Sequence, residues 1–462
     1  MASRFAPWAT AWALSLAAAL PAAAQTPNPA GAEFQVNSFT TNYQTTPSVA
    51  SEVDGDFVVV WSSYGSSGTD HSGTSIQGQR YASDGSTRGA QFQLNSYATG
   101  NQRFPTIAAE SDGDFVVTWS SAGSAETDAD GFSIQAQRFA SDGSTLGTQF
   151  QVNTYTTTNQ TFPAVAAGAA GEFVVAWVGY GSAGTDTSQT SIHAQRHASD
   201  GSPLGAEFQV NTRTSSFQRT PWVASDPDGD FVVVWRSLGS FGTDTSGESV
   251  QGQRYASDGS ALGTEFQVNS YTTGDQVAPS VAVGISGEFL VVWESAGSSG
   301  TDVSGASIQG QRYASDGSAQ GAEFQINSFE TSDQRDPAVT SDADGNLAVV
   351  WQSDGSSGTD TSSLSIQGQR LAPGGSPLGA EIQVNTYTSS EQRAPAVSAA
   401  ANGEFVVVWR SQGSSGTDTS SFSVQGQRYR LPFPVPALSL ATRFALGALM
   451  LLGVGYALRK RA

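Results

Sequence analysis

The chain has 462 residues, a net charge of −20 and no cysteine. Without cysteine it forms no disulfide and no thiolate metal site, and thiol catalysis is excluded. All 41 acidic residues lie within residues 31–430, and five of the 21 basic residues lie outside, so this stretch carries 16 arginines and a net charge of about −25. An acidic surface without lysine argues against nucleic acid as a partner, because phosphate contacts need clustered basic side chains.

The N-terminus has the pattern of a secretory signal. Arg4 precedes an apolar run at 8–20, and small residues follow up to Ala24. This order predicts a signal peptide over residues 1–24, export by the Sec machinery, and a short linker over 25–30. An uncleaved membrane anchor is the alternative, although the run is shorter than the roughly 20 apolar residues that cross a bilayer.

Residues 31–430 consist of seven copies of one sequence unit. A tryptophan marks each copy, and its number rises by 58 from each copy to the next: Trp61, Trp119, Trp177, Trp235, Trp293, Trp351 and Trp409. A unit this small cannot bury its own apolar surface, so tandem copies pack against one another.

Four strands are predicted in each copy, at 47–50, 57–61, 76–81 and 92–95 in the first. The second strand reads FVVVW and is apolar on both faces, so it has to be covered on both sides. The third and fourth strands alternate apolar and polar residues, and Asp-Gly pairs predict tight hairpins. Each copy is therefore expected to form a four-stranded antiparallel meander.

Seven such sheets, stacked face to face, predict an all-β fold, a seven-bladed β-propeller over residues 31–430. The chain enters on a lone outer-strand sequence at 33–37, and its last copy ends at 423–429 without one. The N-terminal strand is expected to complete the last blade. In this the chain resembles WD-repeat propellers, and the body is similar to seven-bladed repeat proteins of the bacterial exterior. An open solenoid is the alternative, but it would leave bare sheet edges.

The functional face is expected to be the one that carries the long loops. The loop after each tryptophan and the crossing to the next copy emerge on one face, and the tight Asp-Gly turns emerge on the other; long loops on a rigid scaffold commonly carry binding residues. Each long loop holds one aspartate, which predicts a ring of Asp70, Asp128, Asp186, Asp244, Asp302, Asp360 and Asp418. These carboxylates could bind Ca2+, or each could cap its own loop through an Asx-type hydrogen bond.

Little in the sequence supports an enzyme. There is no nucleophile elbow, zinc-ligand spacing or P-loop, although 41 acids offer chance carboxylate pairs for a glycosidase. A catalytic site would need positions that break the repeat. The candidates are His71, Trp222, Arg236, Phe241 and Arg410.

Another repeated set is an arginine at the end of each third strand. We expect each to pair with acidic or carbonyl groups of its own blade, with an anion-binding ring as the alternative. The set comprises Arg80, Arg138, Arg196, Arg254, Arg312, Arg370 and Arg428.

The C-terminus has three parts: a Pro-rich spacer at 431–436, an apolar segment from 437, and a basic end. The basic residues Arg459, Lys460 and Arg461 are expected to stay cytoplasmic under the positive-inside rule. The motif Val435, Pro436, Ala437, Leu438 and Ser439 with the segment 437–462 resembles the IPTL-CTERM group of PEP-CTERM-like envelope sorting signals. That resemblance implies an exosortase-type partner and a cell-surface or released product; a plain membrane anchor is the alternative.

Together these patterns predict an exported envelope protein that binds a glycan or a protein as an adhesion module. The alternatives are a hydrolase or lyase that acts on extracellular polysaccharide, and a structural matrix protein.

Overall fold

The computed structural model describes residues 26–431 except 125, 129, 182, 183, 187 and 188. The predicted signal peptide at 1–24, the sorting motif at 435–439 and the basic end at 459–461 lie outside these residues. All regular structure within them is β-strand. None of the residues described belongs to a helix long and apolar enough to cross a membrane.

The body is a seven-bladed β-propeller, as the repeat predicts. Each blade is an antiparallel sheet whose strands follow chain order from the centre outward. Blade 1 comprises Gln44–Ser51, Phe57–Tyr64, Thr74–Tyr81 and Phe92–Gln93; blade 2 comprises Gln102–Ala109, Phe115–Ala122, Phe132–Phe139 and Thr145–Gln151; blade 3 comprises Gln160–Ala167, Phe173–Tyr180, Thr190–His197 and Pro203–Gln209; blade 4 comprises Gln218–Ser225, Phe231–Leu238, Glu248–Tyr255 and Phe266–Gln267.

Blades 5 to 7 repeat this order. Blade 5 comprises Gln276–Val283, Phe289–Ala296, Ala306–Tyr313 and Phe324–Gln325; blade 6 comprises Gln334–Ser341, Leu347–Asp354, Leu364–Leu371 and Ile382–Gln383; blade 7 comprises Gln392–Ala399, Phe405–Gln412 and Phe422–Arg430. The innermost strands contact one another in a closed ring, since the strand of blade 7 contacts that of blade 1.

The N-terminus completes blade 7, as predicted. Phe34–Gln35 pairs antiparallel with Gly426 and Gln425, and the Val36 amide donates to the Val424 carbonyl at 2.8 Å. Part of the predicted linker also joins this sheet, because Asn28–Pro29 pairs with the end of the last strand. The ring therefore closes within one sheet built from both ends of the repeat array.

The second strand of each blade is covered on both faces. In blade 4, Val233 and Trp235 pack toward blade 3, whereas Val232 and Val234 pack toward blade 5. All seven repeat tryptophans are fully buried. At roughly 1.5–3 kcal/mol for each fully buried large apolar side chain, covering one such strand stabilises the fold by on the order of 10 kcal/mol.

Each tryptophan also has a polar partner that was not predicted from the sequence. The Trp293 Nε1 group donates to Gln276 Oε1 at 3.1 Å, and the same bond recurs in all seven blades. This buried glutamine begins the innermost strand and satisfies the indole N–H, which would otherwise be unpaired in the core.

The two faces of the disc differ as predicted. On one face the long loop of each blade contacts the crossing to the next blade; in blade 1, Ser72 Oγ donates to the Ala98 carbonyl at 2.7 Å. On the other face the two tight turns of a blade meet, since the Ser83 amide donates to Asp56 Oδ1 at 2.8 Å. We name these the long-loop face and the tight-turn face.

Candidate functional site at the channel mouth

The predicted aspartate ring lies within the long loops, and its carboxylates are buried. Asp302 Oδ1 accepts hydrogen bonds from the Ser304 amide and hydroxyl at 3.1 and 3.0 Å, which is an Asx-type cap. Its Oδ2 accepts from Asn327 Nδ2 at 2.8 Å. The same aspartate–asparagine bond recurs in every blade, and in blade 7 Asn37 of the N-terminal strand supplies it to Asp418. Each aspartate therefore ties its long loop to the outermost strand.

Calcium binding by this ring stays a prediction. Among the residues described, three acidic side chains converge closely in two other places, both on the tight-turn face: Glu52 with Asp54 and Asp56, and Glu110 with Asp112 and Asp114. The sequence signal for these groups is an acid two residues before Asp-Gly-Asp, a pattern that the tight hairpin turn also explains.

Five of the seven repeated arginines donate to a carbonyl in the tight turn of the next blade, whereas Arg138 and Arg370 lie 3.8 and 3.9 Å from an acid of their own blade. Arg254 Nη1 donates to the Asp316 carbonyl in the tight turn of the next blade at 2.7 Å, and Arg196 reaches Asp258 in the same way at 2.6 Å. The expectation that each of these arginines pairs with groups of its own blade was therefore wrong for most of the seven. The reason is geometric, because the third strand of one blade ends beside the hairpin of the next.

A serine, a histidine and a glutamate come together in blade 3, but inside the core. His193 lies 2.7 Å from Ser191 Oγ through Nε2 and 3.2 Å from Glu207 Oε1 through Nδ1. Burial raises the pKa of Glu207, yet hydrogen bonds from His193 and Thr154 outweigh it and hold that pKa below its usual value. Ser191 and His193 are 1 % exposed. No substrate reaches them, so this cluster replaces the glutamine of the other blades as a core contact.

The most unusual backbone surrounds the entrance to the central channel on the long-loop face. Each innermost strand carries a β-bulge near its start, with a non-glycine residue at a φ between 47° and 55°. Such bulges redirect side chains at the rims of β-structures. The bulge residues are Thr46, Phe104, Phe162, Thr220, Ala278, Asp336 and Ala394.

Two further positions per blade complete this channel mouth. They are the residue before the bulge and the second-strand residue with which it pairs. From blade 1 to blade 7 these pairs are Thr45 with Ser62, Arg103 with Ser120, Thr161 with Val178, Arg219 with Arg236, Val277 with Glu294, Arg335 with Gln352, and Arg393 with Arg410. The backbone is the same in every blade, but the side chains differ, so the asymmetry of the ring is concentrated here.

Neighbouring blades contact each other across the mouth. The bulge amide of one blade donates to the second-strand side chain of the blade before it: Phe162 to Ser120 at 3.1 Å, and Ala394 to Gln352 at 3.2 Å. The Asp336 amide lies in the same way 3.4 Å from Glu294 Oε2. These contacts bring side chains from adjacent blades together into one site.

An aromatic pair forms one side of the mouth. The rings of Phe104 and Phe162 lie 4.3 Å apart between centroids, and Phe162 is 40 % exposed. Phe104 is half-buried. An aromatic pair with one exposed ring at a concave opening is typical of a ligand-binding surface, because it offers rigid apolar area at low ordering cost.

Two carboxylates lie on the opposite part of the ring, in blades 5 and 6. Burial raises the pKa of Glu294 to about 7, and the charges of Asp336 and Asp333 add to the rise. Desolvation by the surrounding walls also raises the pKa of Asp336, although Arg335, Arg393 and other nearby guanidinium groups lower it. A carboxyl that is protonated near neutral pH beside a second carboxyl can serve as a proton donor.

Below the mouth, the channel is apolar and narrowed. A cavity of about 150 Å3 is lined by residues of the innermost strands, including Val49, Ile107, Val223 and Val339. Trp222 also lines it, at a place where the other blades have Ser, Thr or Ala. The side chain of Trp222 therefore occupies part of the channel below the mouth.

The sequence candidates fall in three places. Arg236 and Arg410 lie at the mouth, Trp222 lies in the channel, and His71 and Phe241 are exposed in the long loops. The residues predicted from the sequence did not include Phe104, Phe162, Glu294 and Asp336. In the sequence these four residues are marked only by a departure from the repeat. Their positions lie together because of the bulge and the contact between blades, and neither can be seen in the sequence.

No protein-family model and no curated protein matches this sequence. Solved structures share its fold. A protein of unknown function from Dyadobacter fermentans is 11% identical with a TM-score of 0.50, and the match covers 89% of this chain and 100% of that one. An ulvan lyase is 11% identical with a TM-score of 0.50, over 85% of this chain and 95% of the other. An α-L-arabinanase from Penicillium chrysogenum is 14% identical with a TM-score of 0.46, over 87% and 98%. The first two likenesses show a shared fold, and the seven blades described above define its class, a seven-bladed β-propeller.

Removing one ring aspartate tests its role in holding the loop. We expect Asp302→Ala to lower the free energy of unfolding by about 2–4 kcal/mol, because Asn327 loses its buried acceptor. EDTA is expected to leave the melting temperature unchanged. The control is Asp354→Ala, which removes an exposed aspartate of the same face. A melting temperature that falls in EDTA and recovers with Ca2+ would show a metal site instead.

Removing the Glu294 carboxyl tests its raised pKa. Glu294→Gln keeps an acceptor for the Asp336 amide, as Gln352 does in the next blade. The pKa of Glu294 rises from 4.5 to about 7 on folding, so the native protein loses stability as the pH rises through that window. Glu294→Gln has no carboxyl to ionise, so it lacks this loss of stability. Its free energy of unfolding should rise relative to that of the wild type by about 1–3 kcal/mol as the pH increases from 4.5 to about 7. Denaturant unfolding at a series of pH values measures it, and a constant difference would contradict the assignment.

Proposed function

We propose that this protein is an exported, envelope-associated binding module that holds a glycan chain across the channel mouth of its long-loop face. The signal-like N-terminus and the sorting-like C-terminus support the location. The observation that carries the proposal is the asymmetry of the mouth, where the Phe104–Phe162 pair, with Phe162 exposed, and the Glu294–Asp336 pair occupy one shared opening.

Glycan recognition accounts for this combination of side chains. The C–H face of a sugar ring packs on an aromatic ring, while carboxylates and guanidinium groups hydrogen-bond its hydroxyls. Elsewhere the chain repeats one structural solution in every blade, with a buried Trp–Gln bond and a buried Asp–Asn bond. At the mouth the seven copies carry different side chains at three equivalent positions, as a site for one extended and asymmetric ligand requires.

Removing the exposed aromatic ring tests the proposal. The purified full chain should be retarded in native gels that contain a soluble polysaccharide, within a panel of arabinan, dextran and polygalacturonate. Phe162→Ala should weaken the binding of the polysaccharide that the wild type retains by about tenfold, because the stacking surface is lost. Phe241→Ala is the matched control, since Phe241 is 54% exposed in a long loop away from the mouth. If the protein retains no polysaccharide of the panel, or if both variants lose binding equally, the proposal is refuted and a structural matrix role is left.

A second candidate function is hydrolysis or elimination of the bound polysaccharide. The specific observation is that Glu294, with a pKa of about 7, contacts the blade that carries Asp336. In such a site Glu294 would donate a proton to the leaving oxygen, and Asp336 would act as the second carboxyl.

Turnover separates the two functions. If the protein is an enzyme, incubation with the panel should release reducing ends or an unsaturated, ultraviolet-absorbing product, and Glu294→Gln should lower that rate at least about 100-fold. Glu52→Gln is the control, because Glu52 also has a pKa raised to about 7 but lies on the tight-turn face. Retention without product supports the binding module.

A further inference from the structure

We infer that the glycan bound at the mouth is anionic, and that its carboxylate or sulfate groups are held by the guanidinium groups of Arg103, Arg219 and Arg410. This inference rests on the proposed function and names the chemical class of its ligand. It comes from where the chain places its few cationic groups and from which of them lack an acidic partner.

The arginines are concentrated at the mouth. Of the 16 arginines in residues 31–430, seven are the repeated arginines at the ends of the third strands, and six occupy mouth positions. The remaining three are Arg88, Arg213 and Arg430. The body as a whole is strongly acidic, so a polyanion is repelled from most of its surface within a Debye length of about 8 Å. The mouth differs in its balance of charge, because its six arginines outnumber the carboxyls of Glu294 and Asp336 there.

Three of the mouth arginines are neutralised within the fold. Arg236 pairs with Glu248, Arg335 pairs with Asp333, and Arg393 lies 2.7 Å from Glu391. These pairs belong to the walls of the mouth.

The other three have no carboxylate within 4.0 Å among the residues that the structure describes. Arg219 and Arg410 are held by aromatic rings instead, with guanidinium carbons 3.9 Å from the Phe217 ring centre and 4.6 Å from that of Phe422. A guanidinium on an aromatic face keeps its N–H edges directed outward, and those edges match a carboxylate or a sulfate. Arg103 is exposed at the equivalent position in blade 2.

Arg410 is the most informative of the three. Its Nε is buried without a hydrogen-bond partner, and its one hydrogen bond runs from Nη1 to Thr45 Oγ1 at 3.4 Å. Burial and the nearby Arg393 lower its pKa, and Glu391 and Asp336, both beyond 4.0 Å, only partly offset this. A partly desolvated cation without an anion in direct contact is costly, and an acidic group of a ligand would supply that contact.

The positions of these arginines indicate the shape of the ligand. They belong to blades 2, 4 and 7, so they surround the opening, and the Phe104–Phe162 pair lies between two of them. One small anion cannot contact three groups set around a ring, whereas a chain with repeated acidic groups can. The class is therefore a polysaccharide that carries uronate or sulfate groups.

Binding of the full chain to matched polymers tests the inference. The probes are polygalacturonate for carboxylates, dextran sulfate for sulfates, and unmodified dextran as the neutral polymer, each in affinity gels at about 0.15 M salt. At least one polyanion should bind about tenfold or more tighter than dextran. Arg410→Gln and Arg219→Gln should each weaken that binding about tenfold, because each removes a charge-assisted contact. The preferred polymer identifies the acidic group.

Arg430→Gln is the control. It removes the same charge from an exposed arginine that pairs with Glu404 on the tight-turn face, and it should bind like the wild type. Melting curves identify any variant that fails to fold, and the two mouth substitutions are independent tests. Dextran bound as tightly as the polyanions, or mouth variants that match Arg430→Gln, would overturn the inference and leave glycan binding standing. Retention of no polymer would refute both.

Discussion

The structure depends on covering one strand from both sides. The second strand of each blade is apolar on its two faces, and no isolated four-stranded sheet can bury both. Its neighbours have to be other copies of the same sheet, and a ring satisfies this demand for every copy at once. The repeated tryptophan lies in that strand, and its glutamine partner joins it to the innermost strand of the same blade.

The polar bonds of the repeat then fix the loops to this core. The buried Asp–Asn bond holds each long loop against the outermost strand, and five of the seven repeated arginines hold the tight turn of the next blade. Because these residues recur in every copy, they describe the scaffold and not the ligand. The side chains at the mouth positions do not make these repeated bonds. Their backbone is set by the bulge, so the side chains can differ from blade to blade.

The fold could be predicted from the sequence because its signal is periodic. A single strand that is apolar on both faces, two Asp-Gly hairpins and a lone N-terminal strand were enough to predict the blade, the ring and its closure. The mouth could not be predicted in the same way. Glu294 and Asp336 are 42 residues apart in the chain, and they meet because a bulge in one blade lies beside the second strand of another.

Departure from the repeat was a useful signal, but it was incomplete. It led to Arg236 and Arg410, which lie at the mouth, and equally to His71 and Phe241, which lie in the long loops. The two groups are distinguished only by strand pairing, which places Arg236 and Arg410 beside the residue before each bulge. In a repeat protein, the informative departures from the repeat are therefore those at equivalent positions that lie together in space. Which positions lie together has to be taken from the structure.

Closure by the N-terminal strand also affects how the molecule is completed. Phe34–Gln35 pairs with the final strand, Phe422–Arg430, so the last sheet joins the two most distant parts of the array. A chain that emerges N-terminus first keeps its opening strand unpaired until nearly the whole body has followed. A chain cut short leaves an open edge that can pair with another molecule. The last sheet is therefore completed only after both ends of the array have been synthesised.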